Sequence, residues 1–284
     1  MNRRGLALGA RLVGLAIALA LPSGLAACST TELDRSAGAN GQPLTSAKPV
    51  ELAVFGAASL ERALDAVKTA YAAAIPGVRL MIATDSSATL RTQIEQGAPD
   101  DVFLSADQKN PRTLADAGLT DGPPVDFAGN NLTIVVPADN PGGVHSPLDL
   151  ARPGLRIVAA GSDVPISSYA DRVVERLGAL AGYPQNFVSA YTQNVVSREQ
   201  NVQAVVAKIE LGEGDAAIVY ATDARASTEV AIIAIPDAAN VSATYAGIVV
   251  AASSHRTEAH AFLDWLASPP GFAILATFGF LPPT

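Results

Sequence analysis

From residue 49 onward, two rhythms of apolar and polar positions take turns along the chain. Short apolar runs suited to buried strands fall at residues 52–55, 78–83, 102–104, 131–136, 155–159, 216–220, 230–235 and 246–252. Between them apolar residues recur three and four apart. In residues 60–74, Leu60, Leu64, Val67 and Tyr71 share one helical face, and Pro76-Gly77 ends the pattern. Further helices are predicted at 88–96 (stopped by Gly97), 114–117, 169–180, 202–211 (stopped by Gly212), 259–267 and 272–278. Trp265 falls on the apolar face of the 259–267 pattern and reads as core. Strand alternating with helix predicts parallel sheets flanked by helices. Sheets of this kind bind ligands beyond the carboxyl ends of their strands, so the strand-to-helix loops are the places to look for chemistry.

The first 48 residues follow a different pattern. Arg3 and Arg4 lead, an apolar run spans residues 12–21, and small residues close it, which is the order of a secretory signal. Arg11 and Pro22 bound the run, leaving it short of the roughly 20 residues a membrane span needs. The segment Leu25-Ala26-Ala27-Cys28 resembles a bacterial lipobox, a signal in which the cysteine becomes the first mature residue and carries lipid. Residues 1–27 are therefore expected to be a lipoprotein signal peptide, and 28–48, polar and containing Gly, Pro and Ser, a lipidated flexible tether. Cys28 is the single cysteine, so no intrachain disulfide and no cysteine-based zinc site can form.

Composition narrows the function. With 49% hydrophobic and 16% charged residues, the chain can build a substantial core. The net charge is −8, from 19 basic and 27 acidic residues; removing Arg3, Arg4 and Arg11 with the signal leaves 16 and 27, or −11. A body this acidic excludes nucleic acid as the expected partner. There is no P-loop, no Gly-x-Gly-x-x-Gly and no Gly-x-Ser-x-Gly, so neither nucleotide binding nor a serine hydrolase is expected. His145, His255 and His260 read as surface residues, and Asp100-Asp101, after the turn Gly97-Ala98-Pro99, as a solvated turn. Ser59, Ser87 (with Ser86 before it) and Asn201 stand at predicted helix starts. Each reads as an N-cap contributing about 1 kcal/mol. Several helix starts at one sheet edge could also converge on a single anion.

Several segments resemble the bacterial molybdate-binding proteins, the substrate-binding subunits of molybdate ABC transporters. They are Val54-Phe55-Gly56-Ala57-Ala58-Ser59-Leu60, Asp85-Ser86-Ser87-Ala88-Thr89-Leu90, and above all Gln93-Ile94-Glu95-Gln96-Gly97-Ala98-Pro99-Asp100-Asp101-Val102-Phe103-Leu104-Ser105-Ala106-Asp107. Asn131-Leu132-Thr133-Ile134-Val135-Val136, Val164-Pro165 with Tyr169-Ala170, Ala217-Ile218-Val219-Tyr220 with Thr222-Asp223-Ala224, and Phe278-Gly279-Phe280 continue the match over residues 51–280.

The resemblance implies an α/β, two-lobed periplasmic-binding-protein fold of type II. Each lobe would be a mostly parallel sheet flanked by helices, with the ligand in the cleft between lobes. Residues 49–129 plus 239–284 would form one lobe and 130–238 the other, crossing near 128–130 and 235–242 and closing by a hinge motion. The family's oxyanion is held by hydroxyls and backbone N–H groups. Carried over, these are the hydroxyls of Ser59, Ser87 and Tyr220 and the backbone at Ile166 and Val202. Where the family has an Ala-Gly pair this chain has Ile166-Ser167, so the loop is expected to bend differently, with Ser167 or Ser168 as a candidate extra hydroxyl. Molybdate and tungstate are the expected ligands, with no cofactor and no direct protein–metal ligands. The expected partners are an importer permease and, through Cys28, the outer face of the cytoplasmic membrane; the protein is expected to be a monomer. A receptor for another oxyanion such as sulfate, and a lipoprotein with a sensing role only, are the alternatives.

Overall fold

The computed structural model describes residues 49–283. The expected signal peptide, Cys28 and the tether lie outside the described residues. In chain order the elements are β1 (Val50–Ala57), α1 (Glu61–Ala74), β2 (Val78–Asp85), α2 (Ser87–Glu95), β3 (Val102–Ser105), α3 (Lys109–Asp116), β4 (Val125–Asn130) and β5 (Leu132–Pro137). They continue with β6 (Ile157–Ala160), α4 (Pro165–Gly178), α5 (Phe187–Asn194), β7 (Val195–Glu199), α6 (Val202–Glu210), β8 (Ala217–Tyr220) and α7 (Ala221–Ala226). The last elements are β9 (Val230–Ile233), β10 (Ala243–Val249), α8 (Arg256–Ala267) and α9 (Pro269–Thr277). A 3-10 turn, Ala58–Leu60, joins β1 to α1.

Three hydrogen-bonded sheets organise these elements, and an isolated bridge joins the two smaller ones, which are treated together as the second sheet. The first has the order β2-β1-β3-β10-β4. Its β2, β1 and β3 run parallel, while β10 is antiparallel to both β3 and β4. The second has β5 between β8 and β9, antiparallel to both, and a parallel β6–β7 pair. A parallel bridge from Ile157 to Ala216 links that pair to the β8 side. The first sheet is thus mixed, β8-β5-β9 is antiparallel, and the parallel pairs are those joined through helices. The chain leaves the first sheet at Asn130, enters the second at Leu132, and returns between β9 and β10. Apolar side chains on both sheets form one continuous core, from Leu52, Val54 and Leu104 to Val158, Ile218 and Val219. Trp265 is partly buried and packs on this core, 5.0 Å from Tyr71 between ring centroids.

Three local expectations change. Asp100 and Asp101 are buried, at 3% and 7% exposure. Asp101 Oδ2 accepts from the Ala53 N–H at 2.8 Å and Asp100 Oδ1 from the Phe55 N–H at 3.1 Å. The carboxyls finish the β1 ladder where β3 has only begun, so a sequence that looks like a solvated turn is part of the sheet edge. Residues 161–168 are not all loop, because α4 starts at Pro165 and its first turn contains Ile166, Ser167 and Ser168. Proline at the first helical position, with φ already set, explains the early start. Of the three proposed caps, Asn201 is one, accepting from the Ala204 N–H at 3.0 Å. At α2 the cap is Ser86, which accepts from the Thr89 N–H at 3.1 Å, and Ser87 is the first helical residue. Ser59 sits inside the 3-10 turn and caps nothing.

Candidate oxyanion site

The loops that follow β1, β2, β6, β7 and β8 meet at one small cavity. Its wall includes Ser59, Ser87, Ile166, Val202 and Tyr220, so the five residues singled out from the sequence are neighbours in space. All five are buried. The cavity is tight, about 10 Å³, near the space a single water-sized sphere needs. No Lys, Arg, Asp or Glu lines it.

Helix starts supply the backbone donors. The first N–H groups of a helix have no partner inside it and carry about half a positive charge together. Val202 is the first residue of α6 and Ile166 the second of α4, so both N–H groups are of this kind. Ser87 opens α2, and Ser59 is the second residue of the 3-10 turn before α1. In α6 the cap at Asn201 takes the Ala204 N–H and leaves that of Val202 to the cavity. The change from Ala-Gly to Ile166-Ser167 does not remove the backbone donor, since every residue but proline has one.

Hydrogen bonds behind the wall fix which way the hydroxyls can donate. Ser87 Oγ accepts from the Ala106 N–H at 3.0 Å, which leaves its own proton free. Asn130 Nδ2 donates to Tyr245 Oη at 3.3 Å, and that oxygen lies 2.9 Å from Ser59 Oγ. Asn130 occupies one acceptor position of Tyr245 Oη, and when Tyr245 donates to Ser59, the Ser59 proton is left for the cavity. Tyr220 carries the plainest signal. Its ring is packed against Tyr245 at 5.7 Å and Tyr169 at 6.2 Å, its exposure is 1%, and its hydroxyl makes no hydrogen bond. A buried hydroxyl without a partner costs about 1–3 kcal/mol and needs an explanation. Burial, then the nearby Tyr245, raises the Tyr220 hydroxyl well above its ordinary value. It is a donor throughout the neutral range.

Asn130 and Tyr245 were not legible as site residues. Asn130 ends β4, a strand whose VDFAGN sequence lacks a clean apolar run, and Tyr245 lies in β10 like any alternating strand aromatic. Asp85 was also missed. It accepts from the Ser86 N–H at 2.7 Å and from Asn201 Nδ2 at 3.2 Å, tying the end of β2 in the first sheet to the start of α6 beside the second. Ser167 and Ser168 do not add hydroxyls to the cavity. Ser167 Oγ donates to the Ala160 carbonyl (3.0 Å) and the Gly161 carbonyl (2.7 Å), and Ser168 Oγ to the Pro165 carbonyl (3.0 Å). Among the described residues no cluster of three or more His, Cys, Asp or Glu is placed to hold a metal ion. His255 and His260 lie near single aspartates, Asp101 and Asp121. The arrangement can enclose a small anion in neutral donors; it contains no base or nucleophile pair.

Known proteins resemble this chain over most of its length. The family model described as bacterial extracellular solute-binding protein matches residues 52–281. Molybdate-binding protein ModA of Mycobacterium tuberculosis (strain H37Rv) is 35% identical over 281 residues, covering 96% of this chain and 100% of the relative. The solved substrate binding domain of a putative molybdenum ABC transporter from Clostridium difficile is 28% identical, with TM-score 0.63, covering 83% of this chain and 100% of that one. The sulfate-binding protein SubI from Mycobacterium tuberculosis H37Rv, at 23% identity and TM-score 0.72 over 82% of this chain and 87% of its own, shares the fold. The chain has the two-sheet architecture of the periplasmic binding proteins and belongs to the family of bacterial extracellular solute-binding proteins that includes the molybdate-binding proteins.

Proposed function

We propose that this protein captures molybdate, and tungstate with it, in the cavity around Ser59, Ser87, Ile166, Val202 and Tyr220, and delivers it to an ABC importer. The observation that carries the reading is the Tyr220 hydroxyl, buried without a partner in a cavity lined only by neutral groups. Such a hydroxyl awaits an acceptor. Burying an anion costs several kcal/mol unless it is fully hydrogen-bonded, and each hydrogen bond to a charged group returns roughly 1.5–3 kcal/mol. Hydroxyl and N–H donors suit a fully deprotonated dianion that needs no acceptor in return. Molybdate and tungstate meet that condition. Phosphate, often monoprotonated, would require an acceptor. Sulfate, the smaller ion, meets the condition as well, so its rejection rests on donors spaced to reach the larger ion and not on tightness.

The cavity walls must part to admit an ion. In this reading residues 49–129 with 239–284 form one lobe, 130–238 form the other, and the two segments that cross between the sheets act as hinge. The protein is a monomeric receptor, not an enzyme. The lipobox-like Leu25-Ala26-Ala27-Cys28 supports a lipid anchor on the outer face of the cytoplasmic membrane, with 28–48 as tether. The described residues contain no helix long and apolar enough to cross a membrane.

The test is calorimetric titration of the full chain in detergent with molybdate, tungstate, sulfate and phosphate, repeated on Ser59→Ala and Tyr220→Phe. One-to-one molybdate binding at micromolar affinity or tighter, about −8 kcal/mol or better, weakened in both variants and with sulfate much weaker, is the expected result. Equal affinity for sulfate would turn the reading to a general oxyanion receptor. Unchanged molybdate binding in both variants would refute the site.

A further inference from the structure

A second cavity shares Ser59 with the first. Its volume is about 430 Å³, within the roughly 300–1,000 Å³ of small-molecule sites. Helix α1 contributes Arg62, α6 Gln203 and α7 Arg225, and the turn after α9 contributes Phe278, Gly279 and Phe280. That Phe-Gly-Phe turn is one of the stretches of the family resemblance that do not line the first cavity. Gly279 has φ +90°, and a Cβ there would lie 2.6 Å from Arg225 Nη1. Glycine is what lets the guanidinium rest against this turn. Phe280 in turn packs edge-on against Tyr245, the partner of Ser59, at 5.4 Å.

Neither guanidinium makes an ion pair with a carboxylate among the described residues. Arg62 donates to the Ala226 carbonyl, and Arg225 has no hydrogen bond or ion pair among the described residues. Asp223 is the one carboxyl in the wall. It is buried, accepts from Gln203 Nε2 at 2.8 Å, and has an oxygen, Oδ2, with no partner. Burial raises it well above the ordinary carboxylate range, against the opposing pull of the Gln203 hydrogen bond and the Arg62 charge. Ala63, Ala226 and Phe278 give the cavity apolar walls as well.

We propose that this cavity is a second anion site, which takes a small organic carboxylate between Arg62 and Arg225. The planar guanidinium fork matches a carboxylate in two parallel hydrogen bonds. The apolar walls and the volume suit an organic anion better than an inorganic one. The occupant bridges α1, packed on β1 and β2, and α7, packed on β5, β8 and β9. Binding here therefore favours the arrangement with the two sheets close, and raises the affinity of the first cavity for its oxyanion. That coupling rests on the function proposed above; the carboxylate site itself does not.

The full chain in detergent is titrated calorimetrically with citrate and with succinate at low salt, without molybdate. The expected result is one binding event with at least one of them, weakened about tenfold or more in Arg62→Gln and in Arg225→Gln and intact in Tyr220→Phe. Thermal melting of each variant checks the fold, and Gly279→Ala, which displaces Arg225 without removing charge, is the second route to the same loss. No heat from either acid, or equal binding in both arginine variants, overturns the proposal. So does loss in Tyr220→Phe alone, which would put the carboxylate in the oxyanion cavity. A molybdate titration with saturating carboxylate then reads the coupling separately.

Discussion

The two cavities share Ser59 and meet an anion by opposite means. The first is lined by hydroxyls and helix-start N–H groups, with no charged side chain in the wall. The second offers two guanidiniums on exposed side chains at an open seam. The difference follows from solvation. A buried cation would cost several kcal/mol before any anion arrived, while fixed dipoles carry a much smaller penalty and have no proton to lose near neutrality. At an exposed seam the charge stays hydrated, and its attraction is screened by salt. Enclosure favours neutral donors, and exposure tolerates charge.

The comparison breaks most sharply at a backbone donor, because only a backbone donor can be removed without touching charge or hydroxyl. Val202→Pro does this. Val202 is the first residue of α6, where proline is tolerated, and Asn201 before it is extended at φ −156° and ψ 173°, as a residue before proline must be. Molybdate affinity is expected to fall roughly 10- to 100-fold, while the melting temperature changes little. Calorimetry with a thermal melt decides it. Unchanged affinity would mean that helix-start N–H groups do not hold the ion, and the neutral-donor account would fail.

Asp223, near the wall between the cavities, gives the next largest effect, on stability. Its folded value is raised by burial, so the native state binds more protons than the unfolded chain above about pH 4. Stability then falls as pH rises from there through the raised value. Asp100 acts in the same direction, raised by burial and then by Asp101. Asp149 and Asp215 are lowered and act the opposite way, losing stability as pH falls through the acid range. In Asp223→Asn, urea unfolding between about pH 5 and 8 should lose stability less steeply than in the parent, by up to about 1.4 kcal/mol per pH unit. Molybdate affinity of the parent should stay flat over the same range, because Tyr220 remains protonated. A pH-dependent affinity with a midpoint in that window would show that a titrating group faces the ion.

Tyr245→Phe sharpens the comparison from behind. It removes the hydroxyl hydrogen-bonded to Ser59 and leaves Asn130 Nδ2 with Thr222 Oγ1 as its acceptor, at 2.9 Å. A neutral hydrogen bond contributes about 0.5–1.5 kcal/mol, so molybdate binding should weaken roughly 2- to 10-fold. A loss as large as that of Val202→Pro would place Tyr245 itself against the ion.

Much of this design was legible in the chain. Residues 52–55 of β1, 102–104 of β3, 134–136 of β5 and 217–220 of β8 are apolar runs, and α1 and α6 show apolar faces, because burial on one side leaves a periodic trace. The five site residues emerged from strand-to-helix loops and a family resemblance together. What stayed hidden is long-range. Strand β7, VVSRE, alternates at a half-exposed edge and lacks the apolar weight of a core strand. Asp100 and Asp101 look solvated until the β1 ladder they complete is known. Asn130 and Tyr245 lie 115 positions apart, and no local pattern joins them.

Ser167 is where local reading went wrong, and it yields the smallest prediction. A serine one residue after a backbone donor, in place of the family's glycine, invites the inference of an added hydroxyl. The helix starts two residues before Ser167, however, and turns its side chain back onto the Ala160 and Gly161 carbonyls at the end of β6. That bond anchors α4 to its strand and spends the proton outside the cavity. Ser167→Ala should therefore leave molybdate affinity within about twofold and cost about 1 kcal/mol of stability, read by urea unfolding. If affinity fell tenfold instead, the first turn of α4 would have to unwind when the ion binds, freeing the hydroxyl. Selection among oxyanions would then reside in that rearrangement and not in the spacing of fixed donors.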